Sequence, residues 1–291
     1  MKLGVVFPQT EIGADPDGIR RYVTGVEAAG FDHLAIYDHV LGAAARPGLN
    51  GPYTLADPFH EVMVTYGFIA AITTRIELAT EILVLPQRQT ALAAKQAAQV
   101  DLFSGGRLRL GVGLGWNWVE YQALGMDFHD RGKRLEEQVA LMRELWSKPE
   151  VSFEGAHHTL TAAGLNPLPS RRIPIWIGAT ADIGLRRAAR IADGWQSELG
   201  LGPRLEENLA RLRVYLEQEG RDATAFGVAG EVGLSGSTVD QAIEDVQRWA
   251  KLGATHVSLT TMGNGVEGPD GHLAVLTRFR RAWDSRPGRS S

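Results

Sequence analysis

The sequence predicts an α/β protein, a single (β/α)8 TIM barrel with an inserted hairpin after its fourth helix, and three observations carry that reading. Apolar runs of strand length alternate with amphipathic helical stretches along the chain. Eight such pairs fit the 291 residues at roughly 36 residues per unit. The turn after the first strand reads Pro8-Gln9-Thr10, where a doubly wound nucleotide-binding sheet would carry a glycine-rich fingerprint.

The first strand runs from Lys2 to Pro8, and Asp15-Pro16 opens a helix to Ala29. A Gly-Phe-Asp turn leads into a strand at His33 to His39, followed by a helix around Pro58 to Ala71 and a third strand from Ile76 to about Leu83. Thr90 to Phe103 is helical and stops at Ser104-Gly105-Gly106. Arg107 to Gly115 follows, with Leu108, Leu110, Val112 and Leu114 expected to face the barrel lumen. Arg131 to Trp146 places Leu135, Val139, Met142 and Leu145 on one helical stripe, and Val151 to Leu160 reads as the inserted hairpin. Barrel strands resume at Ile173 to Ala179, Gly194 to Glu198, Gly227 to Leu234 and His256 to Met262. Helices ending at Ala192, Glu219 and Lys251 separate them, and a last helix spans Gly268 to Asp284. Residues 1–291 are thus one domain, with 285–291 expected as a disordered tail.

Composition narrows the chemistry. With 44% hydrophobic and 22% charged residues the chain can build a large core, and a formal charge of −4 with dispersed basic residues points away from nucleic acid and membrane surfaces. Cysteine is absent, which removes disulfides, thiolate metal sites and thiol nucleophiles, so redox chemistry would need a bound cofactor. No run approaches the ~20 apolar residues of a membrane span, and Met1 to Pro8 lacks a cationic leader, so a soluble, cytoplasmic protein acting on a small molecule is expected.

In a barrel the active site gathers at the C-terminal strand ends. That rule selects Asp38, His39, Thr80 to Ile82, Gly113 to Trp116, Gly178 to Ala181, Ser197 and Thr260 to Gly263. His39 either exchanges protons with a ligand or merely caps its strand. Gly111, Gly113 and Gly115 alternate along one face of their strand, giving room for a flat ring or for close packing. Gly178 to Ala181 opens a helix whose free N–H groups suit a phosphate, or forms an ordinary turn, with Arg186 and Arg187 on the helix surface. The histidines lack metal-ligand spacing, since His157 and His158 are adjacent in a strand and should face opposite ways. Glu61, Glu120 and Glu136 fall on helices and read as solvated or capping groups.

Several of these segments carry a resemblance. Phe31-Asp32 before Tyr37-Asp38-His39, then Ala79-Thr80-Glu81-Ile82-Leu83, Leu102-Phe103-Ser104-Gly105-Gly106-Arg107, Gly111-Val112-Gly113-Leu114-Gly115-Trp116 and Ala192-Asp193-Gly194-Trp195 occur in that order. The chain resembles the luciferase-like monooxygenase superfamily, in particular its branch dependent on the deazaflavin coenzyme F420. The resemblance implies a cis peptide at Glu81–Ile82 beneath the cofactor ring, and Asp38 and His39 on the ring's polar side. Thr80, Glu81, Ile82, Gly113 and Leu114 would lie around the ring, with Gly178, Ala179, Thr180 and Ala181 at the phosphate. Hydride transfer to or from C5 of the deazaflavin follows, His39 exchanging the substrate's proton, in a homodimer. The alternative on the same barrel is an FMN-dependent monooxygenase supplied by a flavin reductase. Glu81 departs from the small or neutral residue usual in the superfamily at its position. Trp116 stands where the superfamily's sugar-phosphate dehydrogenases carry a glutamate, which argues against their substrate. Trp116, Trp118 and Tyr121 would form either an apolar substrate wall or packing under a loop.

Overall fold

The computed structural model describes residues 1–286. In chain order it begins β1 (Lys2–Val6), α1 (Pro16–Ala28), β2 (His33–Ile36), α2 (Val62–Ile72), β3 (Glu77–Thr80) and β4 (Leu83–Val84). A 3-10 turn at Leu85–Gln87 leads to α3 (Thr90–Phe103), β5 (Leu108–Gly113), α4 (Trp118–Ala123) and α5 (Arg131–Ser147). Then come β6 (Val151–Glu154), β7 (Thr159–Ala163), β8 (Ile175–Gly178), α6 (Asp182–Ile191) and β9 (Gly194–Gln196). The chain ends with α7 (Pro203–Gln218), β10 (Gly227–Gly233), α8 (Val239–Leu252), β11 (His256–Thr260) and α9 (Gly268–Asp284).

Eight parallel strands pair in the order β3-β2-β1-β11-β10-β9-β8-β5, and Leu78 of β3 pairs with Leu108 of β5 to close the barrel. The antiparallel β6–β7 hairpin is a separate sheet inserted after α5, the fourth barrel helix. Local chemistry fixes the helix ends. Asp15 accepts hydrogen bonds from Asp17 N and Gly18 N ahead of Pro16, and α1 turns Ile19, Tyr22, Val23 and Val26 inward. Thr238 and Gln241 form a reciprocal capping box on α8, which stops at Gly253 in the left-handed region (φ 98°), where a side chain would be strained.

Four expectations change. The predicted third strand breaks at the cis Glu81–Ile82 peptide into β3 and β4, both alongside β5. The helix placed from Pro58 starts at Val62, because Glu61 caps it by accepting from Val64 N. His157 and His158 lie in the turn between β6 and β7, not in a strand. There His157 pairs with Asp130 and His158 with Glu137. The largest correction concerns the lumen. On β5 it is Arg109 that meets Glu77 and Trp176 inside the barrel, and strand alternation puts Gly111 and Gly113 on that same face. Leu108, Leu110 and Val112 therefore pack outward in the apolar layer beneath the helices, and no residue of β5 is half exposed.

The lumen is consequently polar. It holds His33, Glu77, Arg109, His256, Ser258, Glu81 and Glu231, while the apolar core is the shell between strands and helices. At the C-terminus Arg286 reaches Asp240 at 2.7 Å; the rest of the predicted disordered tail, residues 287–291, lies outside the described residues. Among the described residues no helix is long and apolar enough to cross a membrane.

Candidate active site

A cavity of about 470 Å³ opens at the C-terminal mouth of the barrel, within the size range of small-molecule and cofactor sites. Its lining includes Asp38, His39, Glu81, Ile82, Leu114 and the run Gly178 to Ala181. Thr80 and Gly113 lie outside that lining. Thr80 is buried with its hydroxyl donating to Gly111 O at 2.6 Å. Gly113 is covered by Ile82, whose Cδ1 would sit 2.4 Å from a Cβ placed there.

That contact separates the two readings of the glycine strand. A Cβ at Gly111 would fall 2.1 Å from Thr80 O, one at Gly115 2.7 Å from Val84, and one at Gly178 on neighbouring β8 2.8 Å from Ile82. The missing side chains let the β3–β4 bulge close onto β5 and β8. Ile82, seated on these glycines, becomes part of the cavity floor together with Leu114 and Ile177.

Asp38 anchors the same bulge from the other side. Its Oδ2 accepts from Val84 N at 2.9 Å and its Oδ1 from Arg88 at 2.6 Å, while Arg88 also donates to Glu61 at 3.0 Å. The Asp38 side chain is fully buried, and its oxygens serve these bonds.

His39 follows directly. Its Nδ1 is 3.1 Å from Glu120 Oε2, and Glu120 Oε1 accepts from the backbone N of Val40 at 2.6 Å and of Leu41 at 3.0 Å. Glu120 is 1% exposed. A carboxylate that accepts all three bonds places the hydrogen of His39 on Nδ1 and leaves the Nε2 lone pair for a ligand. The ring is boxed by Phe59, Tyr53 and Trp116 at centroid distances of 4.7, 5.3 and 5.5 Å. Trp116 in turn packs on Gly51, where a Cβ would come within 2.2 Å of the indole. Asn117 Nδ2 and Trp118 Nε1 donate to Leu41 O and Gly48 O, so the segment after β5 holds down the loop after β2. Of the three aromatics read as wall or packing, Trp116 lines the cavity. Trp118 braces the loop, and Tyr121 is buried with its hydroxyl on Leu114 O.

On the β8 side no side chain caps α6, and Thr180, Ala181, Ile183 and Gly184 line the cavity where its first turn begins. Asn208 Nδ2 donates to Thr180 O and Trp195 Nε1 to Ala179 O, which fixes this segment. Arg187, 6% exposed, also lines the cavity, its Nε donating to Glu136 at 2.8 Å; Arg186 is the exposed one, paired with Asp182. An apolar floor beside an uncapped helix start and an arginine fits a flat ring with an anionic tail.

The family follows from comparison with known proteins. A model of the luciferase-like monooxygenase family matches residues 1–286. The chain belongs to that family. It is similar to an uncharacterised protein of Mycobacterium tuberculosis, 33% identical over 252 residues, covering 84% of this chain and 85% of the relative. An F420-dependent glucose-6-phosphate dehydrogenase of Nakamurella multipartita is 32% identical over 244 residues, covering 81% of this chain and 69% of the relative. Among solved structures, a monooxygenase from Streptomyces bottropensis shares the fold with a TM-score of 0.79 at 17% identity, covering 97% of this chain and 98% of that one.

This luciferase-like oxidoreductase holds two site groups that sequence patterns did not flag. By sequence Glu120 reads as solvated or capping, because its short helix α4 carries no periodic signal that it folds back on His39. Glu231 of β10 accepts from Tyr37 Oη at 2.5 Å and faces Glu81 across the lumen. Burial raises the Glu81 carboxyl to about 7; Arg109 opposes the rise and Glu231 adds to it. Burial likewise raises Glu231, against the hydrogen bond from Tyr37.

Proposed function

We propose that this protein is an F420-dependent oxidoreductase that transfers a hydride between the deazaflavin and an uncharged organic alcohol or its carbonyl counterpart. One observation carries the reading most: His39 presents Nε2 to the same cavity whose far side offers the uncapped α6 turn and Arg187. The F420-dependent relatives support the choice of cofactor.

When bound, the deazaflavin supplies the carbon that exchanges the hydride. Ile82, Leu114 and Ile177 would hold its ring, and Thr180, Ala181 and Arg187 its phosphate. His39 Nε2 takes the alcohol's hydroxyl proton as the C–H bond breaks, and Glu120 stabilises the resulting imidazolium. Trp116, Tyr53 and Pro52 exclude water around that proton transfer.

An uncharged substrate follows from the charges of the lining. Among the described residues Arg187 is the one cation there, on the β8–α6 side, while Asp38, paired with Arg88, Glu81 and Glu198 are carboxyl groups. A phosphate on the substrate would find no cationic partner beside His39, which separates this site from a sugar-phosphate dehydrogenase.

Calorimetric titration of the purified protein with F420 and with FMN tests the cofactor. Binding of F420 at micromolar or tighter affinity, with none of FMN, is the expected result. FMN binding alone would overturn the reading in favour of a flavin monooxygenase served by a separate reductase.

A further inference from the structure

A second cavity of about 470 Å³ lies at the N-terminal face of the barrel, lined by Lys2, Glu77, Arg109, Trp176 and His256 among others, at the opposite end of the polar lumen from the active-site cavity. Between the two lies a file of proton-bearing groups. Glu81 lines the upper cavity at 8% exposure, and its Oε1 accepts from Ser258 Oγ at 3.0 Å. Because Ser258 spends its hydrogen on Glu81, it must accept from His33 Nε2, 2.9 Å away. His33 is fully buried, and its tautomer is thereby fixed with a lone pair on Nδ1, which has no partner.

Next in line is His256, its ring centroid 5.4 Å from that of His33, its Nε2 also buried and unpartnered and 3.8 Å from Glu77 Oε1. Glu77 accepts from Lys2 at 2.9 Å and from Arg109 at 2.5 Å at the basal cavity. Two unpaired ring nitrogens inside a polar lumen call for ordered water, which would complete the file.

We propose that Glu81 is a second proton-exchanging group of the site, renewed from the basal face of the barrel through Ser258 and His33. The proposal rests on the hydride-transfer reading. In the oxidative direction the substrate's C–H bond breaks with its electron pair and re-forms on the deazaflavin, and the hydroxyl proton goes to His39 and then to solvent. The transferred pair brings one negative charge to the acceptor, and one proton from Glu81 neutralises it. The Glu81 carboxylate then takes the hydroxyl proton of Ser258, Ser258 takes the Nε2 proton of His33, and a solvent proton entering from the basal cavity reprotonates His33 at Nδ1; His256 keeps its own hydrogen on Nδ1, bonded to Thr255 Oγ1, whose hydroxyl is spent on Val228 O. Alcohol and acceptor become carbonyl and reduced acceptor, with one proton leaving through His39 and one entering from below.

The surroundings of Glu81 suit the task. Facing it are Ser258 of β11, Glu231 of β10 with Tyr37, the residue after β2, bonded to it, Arg109 of β5, Glu77 of β3 and Tyr66 of α2. Burial, with Arg109 and Ser258 opposing and Glu231 and Glu77 adding, brings its carboxyl to about 7, where it can both give and take a proton. Burial, then Arg109, holds His33 well below its ordinary value, and burial brings His256 to about 3, so both rings stay neutral, and His33, with its Nε2 hydrogen on Ser258 and its Nδ1 open, can relay.

The test combines carboxyl 13C NMR of the ligand-free protein with turnover of Glu81→Gln, Glu81→Asp and Ser258→Ala. A Glu signal titrating near neutral pH, missing in Glu81→Gln and shifted upward in Ser258→Ala, is expected in the ligand-free protein. In the F420-loaded enzyme, kcat should fall at least ~10-fold in Glu81→Gln and partly recover in Glu81→Asp. Ser258→Ala, which keeps Glu81 but cuts the file, should lower kcat and enlarge the solvent isotope effect with KM unchanged. An ordinary carboxylate titration for Glu81 overturns the proposal, and so does a Ser258→Ala enzyme with wild-type kcat and isotope effect. Failure of the cofactor reading would show separately, as wild-type protein that binds no F420, and the ligand-free titration would still decide for or against Glu81.

Discussion

Glu120 reaches back from α4 to set its Oε2 3.1 Å from Nδ1 of His39, and its other oxygen ties down the two backbone amides that follow His39. One carboxylate thus fixes both the ring's tautomer and the path of the loop that carries it. Glu120→Gln keeps the shape, and its one carbonyl oxygen can still accept from the two loop amides, but its NH2 cannot accept from His39 Nδ1 and the charge that favours the imidazolium is lost. We expect kcat to fall by about 100-fold, within the range for general acid–base catalysis, with F420 affinity within ~2-fold of wild type. Steady-state kinetics with calorimetric Kd values checks this; a kcat near wild type would mean that His39 works without its partner.

Arg187 should act on the cofactor rather than on the chemistry. It lines the cavity beside the uncapped start of α6, and its Nε is already committed to Glu136. Arg187→Met should therefore weaken F420 binding by about 10-fold, the worth of roughly one charge-assisted hydrogen bond. Affinity for a phosphate-free deazaflavin should be unchanged. Equal losses for both ligands, measured by fluorescence quenching, would show that the arginine serves only to brace α5 against α6.

The glycines give a paired test of stability. Gly111 has no room, since a Cβ would lie 2.1 Å from the Thr80 carbonyl oxygen, whereas Gly67 in α2 has nothing within 4 Å. Gly111→Ala should cost about 1–3 kcal/mol through overpacking. Gly67→Ala should instead add about 0.5–1 kcal/mol, because alanine loses less backbone entropy in a helix. Chemical denaturation of both variants reads the two signs directly.

These contrasts show which parts of the molecule were legible in the sequence. Periodicity and caps placed the barrel closely: Thr90–Phe103 and Gly268–Asp284 coincide with α3 and α9. Strand ends pointed to His39, Ile82 and Gly178 to Ala181, all of which line the cavity. What periodicity could not supply was which face of a strand is the inside. On β5 the apolar residues looked inward by the usual rule, yet the lumen side is Arg109-Gly111-Gly113, because this barrel fills its centre with a charged cluster. Glu120 was illegible for a related reason: its partner is 81 residues away in the chain and only the tertiary fold brings them together.

That charged cluster predicts how stability should depend on pH. The folded-state pKa of Glu81, about 7, lies above the ordinary glutamate value of 4.5, so between these limits the folded protein binds more protons than the unfolded chain. Its contribution is therefore complete below about 4.5 and is lost as pH rises through about 7. Glu77 runs the other way. Burial alone would raise it, but Arg109 brings its carboxyl down to about 2, so its contribution is present above about 4.5 and lost as pH falls toward 2. Glu81→Gln removes only the first effect: it replaces a carboxyl that must ionise in the lumen at high pH with a group that never does. The Tm of Glu81→Gln relative to wild type should thus rise steadily from pH 5 to pH 8, whereas Glu77→Gln, which strands Arg109, should be destabilised across that whole range. Calorimetric Tm differences that stay flat from pH 5 to pH 8 for Glu81→Gln would place the Glu81 carboxylate in water, and the polar lumen would then have no bearing on its ionisation.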